Sequence, residues 1–446
     1  MVRITTMKTL LSALSLALAS HCALAYQLDT EVSRSMPELE ALYLHLHQNP
    51  ELSYQEEQTA KRLAYELQQL GFDVTEQVGG HGVVGLLRNG EGPTVMIRAD
   101  TDGLPIIEQT GKPYASKVRV KDANNNEVGV MHGCGHDIHM TSFIGTAQQL
   151  ANNRDQWQGT LMMVAQPAEE VGAGAKAMLK EGLFSRFAKP DHVLGLHVSA
   201  SLPAGQVAIA PGYALANVDS VDITVRGKGG HGAYPHTTVD PVVLASRIVL
   251  AAQTITSREI SPLKPSVITV GSIHGGSKHN IISNEVKLQL TLRSYDPAVR
   301  EQQIAALERM TKGIAHSAGL PSELAPIVYV HEEESIPSTY NTPELAVRVE
   351  KSIRAELGDE HVVKAEPVMA GEDFGLYGRT AENIPATIFW LGGVEPEAYR
   401  QAQFSGEALP SLHSSKFAPD YPLTIKTGVR AMTASALDLF KTAPEQ

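Results

Sequence analysis

Thr94-Val95-Met96-Ile97 reads as a buried strand, and it runs into Arg98-Ala99-Asp100-Thr101-Asp102. Paired aspartates at the carboxyl end of a parallel strand stand where α/β enzymes build their sites. Taken alone, the pair fits a charged turn equally well. The pattern then recurs. A second apolar strand, Leu161 to Ala165, runs into Gln166-Pro167-Ala168-Glu169-Glu170. Two adjacent carboxylates can divide labour there, one ligating a metal and the other acting as general base; a solvated acidic turn is the plainer alternative. A third strand, His192 to Leu196, ends at His197. Three strand ends with site-type residues make the fold class α/β.

Between the first two strands lies Met131-His132-Gly133-Cys134-Gly135-His136-Asp137-Ile138-His139-Met140. His132, Cys134, His136 and His139 are all candidate metal ligands, because thiolate and imidazole are the donors that zinc-like ions favour. Gly133 and Gly135 suit a tight loop in which backbone passes close to an ion. Asp137 reads as the N-cap of a helix whose face begins with Ile138, Phe143 and Ile144. A helix N-terminus also favours a thiolate. A polar turn with a half-buried free cysteine would account for the stretch without chemistry.

The 446 residues exceed one ordinary core, so two domains are expected. Hydrophobic residues make up 43% and charged residues 19%, which fits a globular enzyme. A net charge of −12 argues against nucleic acid and anionic membranes as partners. Residues 1–25 read as a signal peptide: Arg3 and Lys8, an apolar run from Leu10 to Ala19, and Ala23-Leu24-Ala25 as cleavage site. The expected location is the periplasm, with no membrane attachment after cleavage. Cys22 leaves with that segment, so Cys134 is the lone thiol of the mature chain. In an oxidising compartment it is either buried and inert or held by metal, and its histidine neighbours favour metal.

Outside these strands, Met36, Leu39, Leu42, Tyr43 and Leu46 fall on one face of a helix over 33–48. His45 and His47 lie on that helix about 200° apart, cannot share an ion, and His45 reads as surface. A second helix spans Glu57 to Leu70. The middle of the chain changes style. Strands at 218–225, 266–273, 286–292 and 327–330, with helices at 241–258 and 297–316, give the order β-α-β-β-α-β. Residues 214–330 are therefore expected to form an inserted α+β, ferredoxin-like domain. It divides a mixed-sheet catalytic domain into 26–213 and 331–446. Within it, Gly227-Lys228-Gly229-Gly230-His231-Gly232 lacks the spacing of a phosphate-binding loop.

His-Gly-Cys-Gly-His-Asp, Gln-Pro-Ala-Glu-Glu, Gly-Leu-His-Val, Gly-Lys-Gly-Gly-His-Gly-Ala-Tyr-Pro-His, His279-Asn280-Ile281-Ile282 and Gly371-Glu372-Asp373-Phe374 occur here in order. With these motifs the chain resembles the amidohydrolase branch of the aminoacylase and carboxypeptidase G family of two-metal peptidases. That branch includes hippurate hydrolases and indole-acetyl-amino-acid hydrolases. The match runs from about Ser33 to the C-terminal helix. The common His-Pro-Glu reads Asn49-Pro50-Glu51 here, and Ser415 stands where proline often follows the last ligand; neither change removes a ligand.

The resemblance implies a zinc-peptidase-like catalytic domain carrying two divalent ions per subunit (zinc, manganese, nickel or cobalt). It implies that Cys134 bridges them, with His136, Glu170, His197 and His413 as further ligands and Glu169 as general base. His413, in a loop before the last helix, would otherwise read as surface. The inserted domain is implied to be a lid that also dimerises, giving a homodimer or homotetramer. Its His231 would stabilise the oxyanion, across the subunit interface, with Asn280 a polar contact beside it. Asp102 is implied to orient a ligating histidine. The expected reaction is cleavage of an N-acyl or N-aroyl amino acid to a carboxylic acid and an amino acid, with a dipeptidase or carboxypeptidase as the alternative. A two-lobed binding protein would need ligands but no base, so Glu169 beside Glu170 favours an enzyme.

Overall fold

The computed structural model describes residues 27–122 and 125–441. The expected signal peptide, 1–25, lies outside them. The chain divides into two compact units, one of Met1–Gly212, Tyr340–Glu366 and Tyr377–Gln446, the other of Tyr213–Thr339 and Pro367–Leu376. The second segment of the smaller unit falls inside 331–446, a stretch whose strand and helix pattern gives no reason to divide it.

Leu161 to Ala165 are all buried, without alternation, because helices cover both faces of a parallel sheet. In the larger unit eight strands lie in the order Asp73–Val78, Gly82–Asn89, Gly159–Gln166, Thr94–Asp100, His192–Pro203, Ala386–Val394, Val207–Ile209, Val362–Lys364. The four central ones, from Gly159–Gln166 to Ala386–Val394, are parallel to one another. Asp73–Val78 and Gly82–Asn89 add an antiparallel edge. Leu39, Leu42 and Leu46 of a helix that runs from residue 27 to 48 share one core with Phe143 and Ala147 of the helix His136–Asn152. Ile425, Val429 and Met432 of the helix Tyr421–Phe440 complete that face.

His197 was expected to end its strand, yet the strand continues to Pro203. The reason is a second neighbour. Pairing with Thr94–Asp100 stops at Arg98↔Gly195, but pairing with Ala386–Val394 carries on through Trp390↔His197. Beyond Gly195, one edge of this strand is therefore open to other partners.

The smaller unit holds four antiparallel strands in the order Ser266–Gly275, Glu285–Ser294, Asp219–Arg226, Ile327–Val330. Its helices are Pro241–Thr254 and Pro297–Ser317, and each starts at an aspartate with proline at its first position. Asp240 accepts from the Val242 N–H at 2.8 Å and Asp296 from the Ala298 N–H at 2.9 Å. Val221, Ile223 and Val225 point to one face and meet Leu244 and Ile248, which is why the strand alternates. Among the described residues, no helix is long and apolar enough to cross a membrane.

Candidate metal centre

The helix after the glycine-rich loop starts at His136, not after Asp137. Gly135 is the residue at its N-cap, with φ 81°. A Cβ there would lie 2.3 Å from Val198 Cγ1, so the turn requires glycine for both conformation and space. Asp137 thus falls inside the first turn. Its Oδ1 accepts from the Ile138 N–H, and its Oδ2 meets His47 Nδ1 at 2.6 Å.

Of the four donors in 131–140, two face one another across a common centre. Cys134 Sγ lies 3.5 Å from His197 Nε2 and 3.3 Å from His413 Nε2. His413 Nε2 lies 3.5 Å from Glu170 Oε2, and His136 Nε2 lies 3.8 Å from Glu170 Oε1. Nitrogen, oxygen and sulfur donors bound tetrahedrally to one zinc-sized ion stand about 3.3–3.6 Å apart. Two donor trios share Cys134, Cys134–His136–His197 and Cys134–Glu170–His413, and two more, His136–Glu169–Glu170 and Asp100–His136–His139, share His136. His413 reaches the centre from a residue with φ 63°, and its N–H donates to the Gly133 carbonyl at 2.9 Å. A left-handed non-glycine residue at a cluster of donors is the kind of strain that a functional site holds.

Two of the donor imidazoles bond outward through Nδ1 and leave Nε2 inward; against burial, Asp100 and Asp102 hold the His136 value well above the usual one. His136 Nδ1 donates to the Asp102 carbonyl at 2.8 Å, and His197 Nδ1 donates to the Val198 carbonyl at 2.8 Å. Burial, then the neighbouring His139, pushes the His197 value well down. His136 Nε2 and Glu170 Oε1 are buried and find no hydrogen-bond partner among the described residues. Burial drives the Cys134 thiol well up and Glu170 up to about 7. The helix end therefore does not outweigh burial at Cys134. Buried thiol, imidazole and carboxylate with inward orphan atoms are what divalent cations satisfy, so the residues present fit the metal.

Asp102 bonds the ligand-type His136 through its backbone. Its main-chain carbonyl, rather than its carboxylate, makes the short contact with His136; Oδ1 stands off at 3.4 Å. The carboxylate instead accepts the Glu169 N–H at 3.1 Å, the Glu170 N–H at 3.0 Å and the Ser53 hydroxyl at 2.6 Å. Burial opposes its charge, but His136, Ser53 and the Glu170 N–H hold it below the usual value. One residue upstream, Ala168 has φ 51°, and its N–H donates to Glu56 Oε1 at 2.7 Å. Three successive N–H groups are thus fixed by two buried carboxylates. Glu169 Oε2 ends 3.9 Å from His136 Nε2 and belongs to neither of the trios that share Cys134.

The other two donors of the loop turn away. His132 is buried, pushed down to about 4 by burial, and neither of its ring nitrogens has a hydrogen-bond partner among the described residues. His139 bonds Asp100 and the Val198 N–H with its two nitrogens, leaving no lone pair for an ion. His45 is exposed, as its helix position implied, whereas His47 is buried. Ser53 and Glu56 carry no sequence signal, and their partners lie 49 and 112 residues away in the chain; Arg98 bonds both Asp100, two residues on, and Gln166, 68 residues away.

His231 and Asn280 lie in the smaller unit, next to one another. The Gly232 N–H donates to the Asn280 carbonyl at 2.9 Å, and Gly230–His231 pairs with Ile281–Ile282. The glycine-rich run is needed for close approach: a Cβ on Gly229 would lie 2.6 Å from the Ile282 carbonyl. His231 Nδ1 accepts the Ala233 N–H at 3.0 Å. When the imidazole is neutral, its proton is therefore on Nε2, where it can be donated outward.

The model of peptidase family M20/M25/M40 matches residues 96–405. The chain is 37% identical to thermostable carboxypeptidase 2 of Saccharolobus solfataricus over 396 residues, 88% of this chain and 93% of that one. It is 38% identical over 348 residues to IAA-amino acid hydrolase ILR1-like 2 of Arabidopsis thaliana, covering 78% of this chain and 75% of that one. The crystal structure of the Bacillus subtilis YXEP protein, a dinuclear metal-binding peptidase of the M20 family, superposes with a TM-score of 0.73 at 28% identity. That likeness covers 91% of this chain and 99% of the other. With a matched family model across most of the chain and a donor cluster suited to divalent ions, this protein belongs to peptidase family M20/M25/M40, in its amidohydrolase branch.

Proposed function

We propose that this metallohydrolase cleaves the amide bond of N-acyl or N-aroyl amino acids, releasing a carboxylic acid and an amino acid. The observation that carries the reading is the split between two adjacent carboxylates. Glu170 joins Cys134 and His413 in a donor trio, whereas Glu169 enters the cluster only beside His136 and Glu170, its Oε2 3.9 Å from His136 Nε2. Both are held by Asp102 through their N–H groups. Cys134, His136, Glu170, His197 and His413 would hold two divalent ions per subunit, of zinc, manganese, nickel or cobalt. When bound, such ions polarise the scissile carbonyl and make water more acidic. Glu169 takes the proton of the attacking water and passes it to the leaving amine. His231, with its Nε2 proton directed outward, donates to the oxyanion of the tetrahedral intermediate. Asn280, adjacent to His231, offers a polar contact to the substrate.

The working assembly in this reading is a homodimer or homotetramer joined through the smaller unit, in the periplasm. A relative named as an amino-acid conjugate hydrolase supports the amidase reading. A relative named as a carboxypeptidase keeps a second reading, peptide cleavage by the same centre. A panel of hippurate, N-acetyl amino acids and dipeptides, offered to metal-loaded protein, decides between them. Turnover of acyl conjugates above dipeptides is expected. Turnover of dipeptides alone would overturn the amidase reading.

A further inference from the structure

His139 comes from the ligand loop yet ligates nothing, and its surroundings are built around it. It is 1% exposed. Its Nε2 accepts the Val198 N–H at 2.8 Å. An N–H can only donate, so the ring proton must sit on Nδ1, which donates to Asp100 Oδ1 at 2.6 Å. Asp100 is itself fully buried and bound by Arg98 at 2.8 Å. The Val198 N–H is available because its strand loses the Thr94–Asp100 neighbour after Gly195. The other side of the same residue, its carbonyl, accepts from His197 Nδ1 at 2.8 Å. An unbroken chain of bonds therefore runs Arg98, Asp100, His139, Val198, His197.

The geometry points to His139 as a positioning residue that, through Val198, aims His197 Nε2 at Cys134 and so controls one of the two ion positions only. The inference rests on the ligand set proposed above. Both ends of the chain reach the same trio: His197 belongs to it, and Asp100 Oδ2 lies 3.5 Å from His136 Nε2. Glu170 and His413, the donors particular to the other trio, meet one another at 3.5 Å, and His413 meets Cys134 at 3.3 Å. Removing the acceptor at position 139 frees the Val198 peptide and loosens His197, while Cys134, Glu170 and His413 stay as they are. Partners that orient metal ligands are worth about 10–100-fold in affinity.

The test counts ions rather than turnover. Purified full-length protein is stripped with a chelator and titrated with Co²⁺ against a chromophoric competitor. Wild type is expected to show two tight sites. His139→Met, equal in reach but without an acceptor, is expected to keep one, with the second weakened about 10–100-fold. His139→Gln, whose carbonyl oxygen can accept the Val198 N–H, is expected to keep both. Two tight sites of wild-type affinity in His139→Met would overturn the assignment, as would equal loss in His139→Gln. If circular dichroism shows His139→Met unfolded, His139→Asn, which reaches Asp100 but is too short for Val198, replaces it under the same criteria. A wild type with fewer than two sites would instead refute the two-ion centre itself, and the inference with it.

Discussion

His47 offers a stability measurement whose sign and size follow from its contacts. Its ring lies between two buried carboxylates, with Nδ1 2.6 Å from Asp137 Oδ2 and Nε2 3.2 Å from Glu108 Oε2. Tyr43 and Tyr114 flank it at ring-centroid distances of 5.5 and 5.2 Å. Burial alone would push the imidazole down, but the bonds to Asp137 and Glu108 raise it to about 9. The folded value thus lies above the unfolded one of about 6.5. The stabilisation is complete below pH ~6.5 and is lost as pH rises toward ~9, and it amounts to about 3 kcal/mol. Asp137 and Glu108 are both held below their usual values, against burial, chiefly by the hydrogen bond from His47. Both are ionised in either state above neutrality, so they add no slope of their own there. The His47 contribution to unfolding free energy should therefore fall by about 2 kcal/mol between pH 7 and 9.5. His47→Gln should start about 3 kcal/mol lower at pH 7, because it strands two buried carboxylates, and should lack this decline. Urea unfolding of both proteins across that range measures it. Parallel curves, with a constant gap at every pH, would refute a cationic His47.

Four further outcomes are expected. Cys134→Ser should lose bound metal and nearly all activity, since a hydroxyl does not ionise near neutrality; a full metal complement with normal turnover would remove the bridging role. Glu169→Gln should keep its metal and lose turnover by about 10²–10⁴-fold, whereas Glu170→Gln should lose metal, and elemental analysis with kinetics would expose a reversed assignment. Gly135→Ala should be unable to hold the ligand loop, because its Cβ would meet Val198 Cγ1 at 2.3 Å in a left-handed turn; native metal content and thermal midpoint in this variant would contradict that. Co-refolding inactive His231→Ala with inactive Glu169→Gln should restore about a quarter of wild-type activity if His231 serves the partner subunit of a dimer. No recovery, with mixed dimers verified by a tag, would exclude the cross-subunit role.

Much of the fold was legible because it is written in local periodicity. The unbroken apolar run of Leu161 to Ala165 signals a strand covered on both faces, and the alternation of Val221, Ile223 and Val225 signals one covered on a single face. The motifs carried the family. Where the reading slipped, a neighbour distant in the chain was responsible. The strand from His192 runs on past His197 because Trp390 pairs with it, and nothing between 192 and 203 announces that partner. The helix starts at His136 because Gly135 must turn beneath Val198, so the acid that looks like a cap lies within the first turn.

The sequence by itself determined the donor inventory: a thiol, five candidate imidazoles and two adjacent carboxylates at loops and strand ends, in an order that specifies the family. Residue type alone could not rank them, and only the resemblance singled out His136. Within 131–140, His132, His136 and His139 are equivalent as text, since an imidazole at any of them can reach an ion somewhere. The packed structure supplied the reason: His136 bonds outward through Nδ1 and turns Nε2 to the centre. It gave His139 two partners, Asp100 and Val198, that use both of its nitrogens, and it buried His132 with no hydrogen-bond partner among the described residues. The physical reason is that an imidazole ligates only when its second nitrogen is bonded and its first is left open. Which nitrogen is bonded depends on a carbonyl or carboxylate brought from tens of residues away, as Asp102 is for His136.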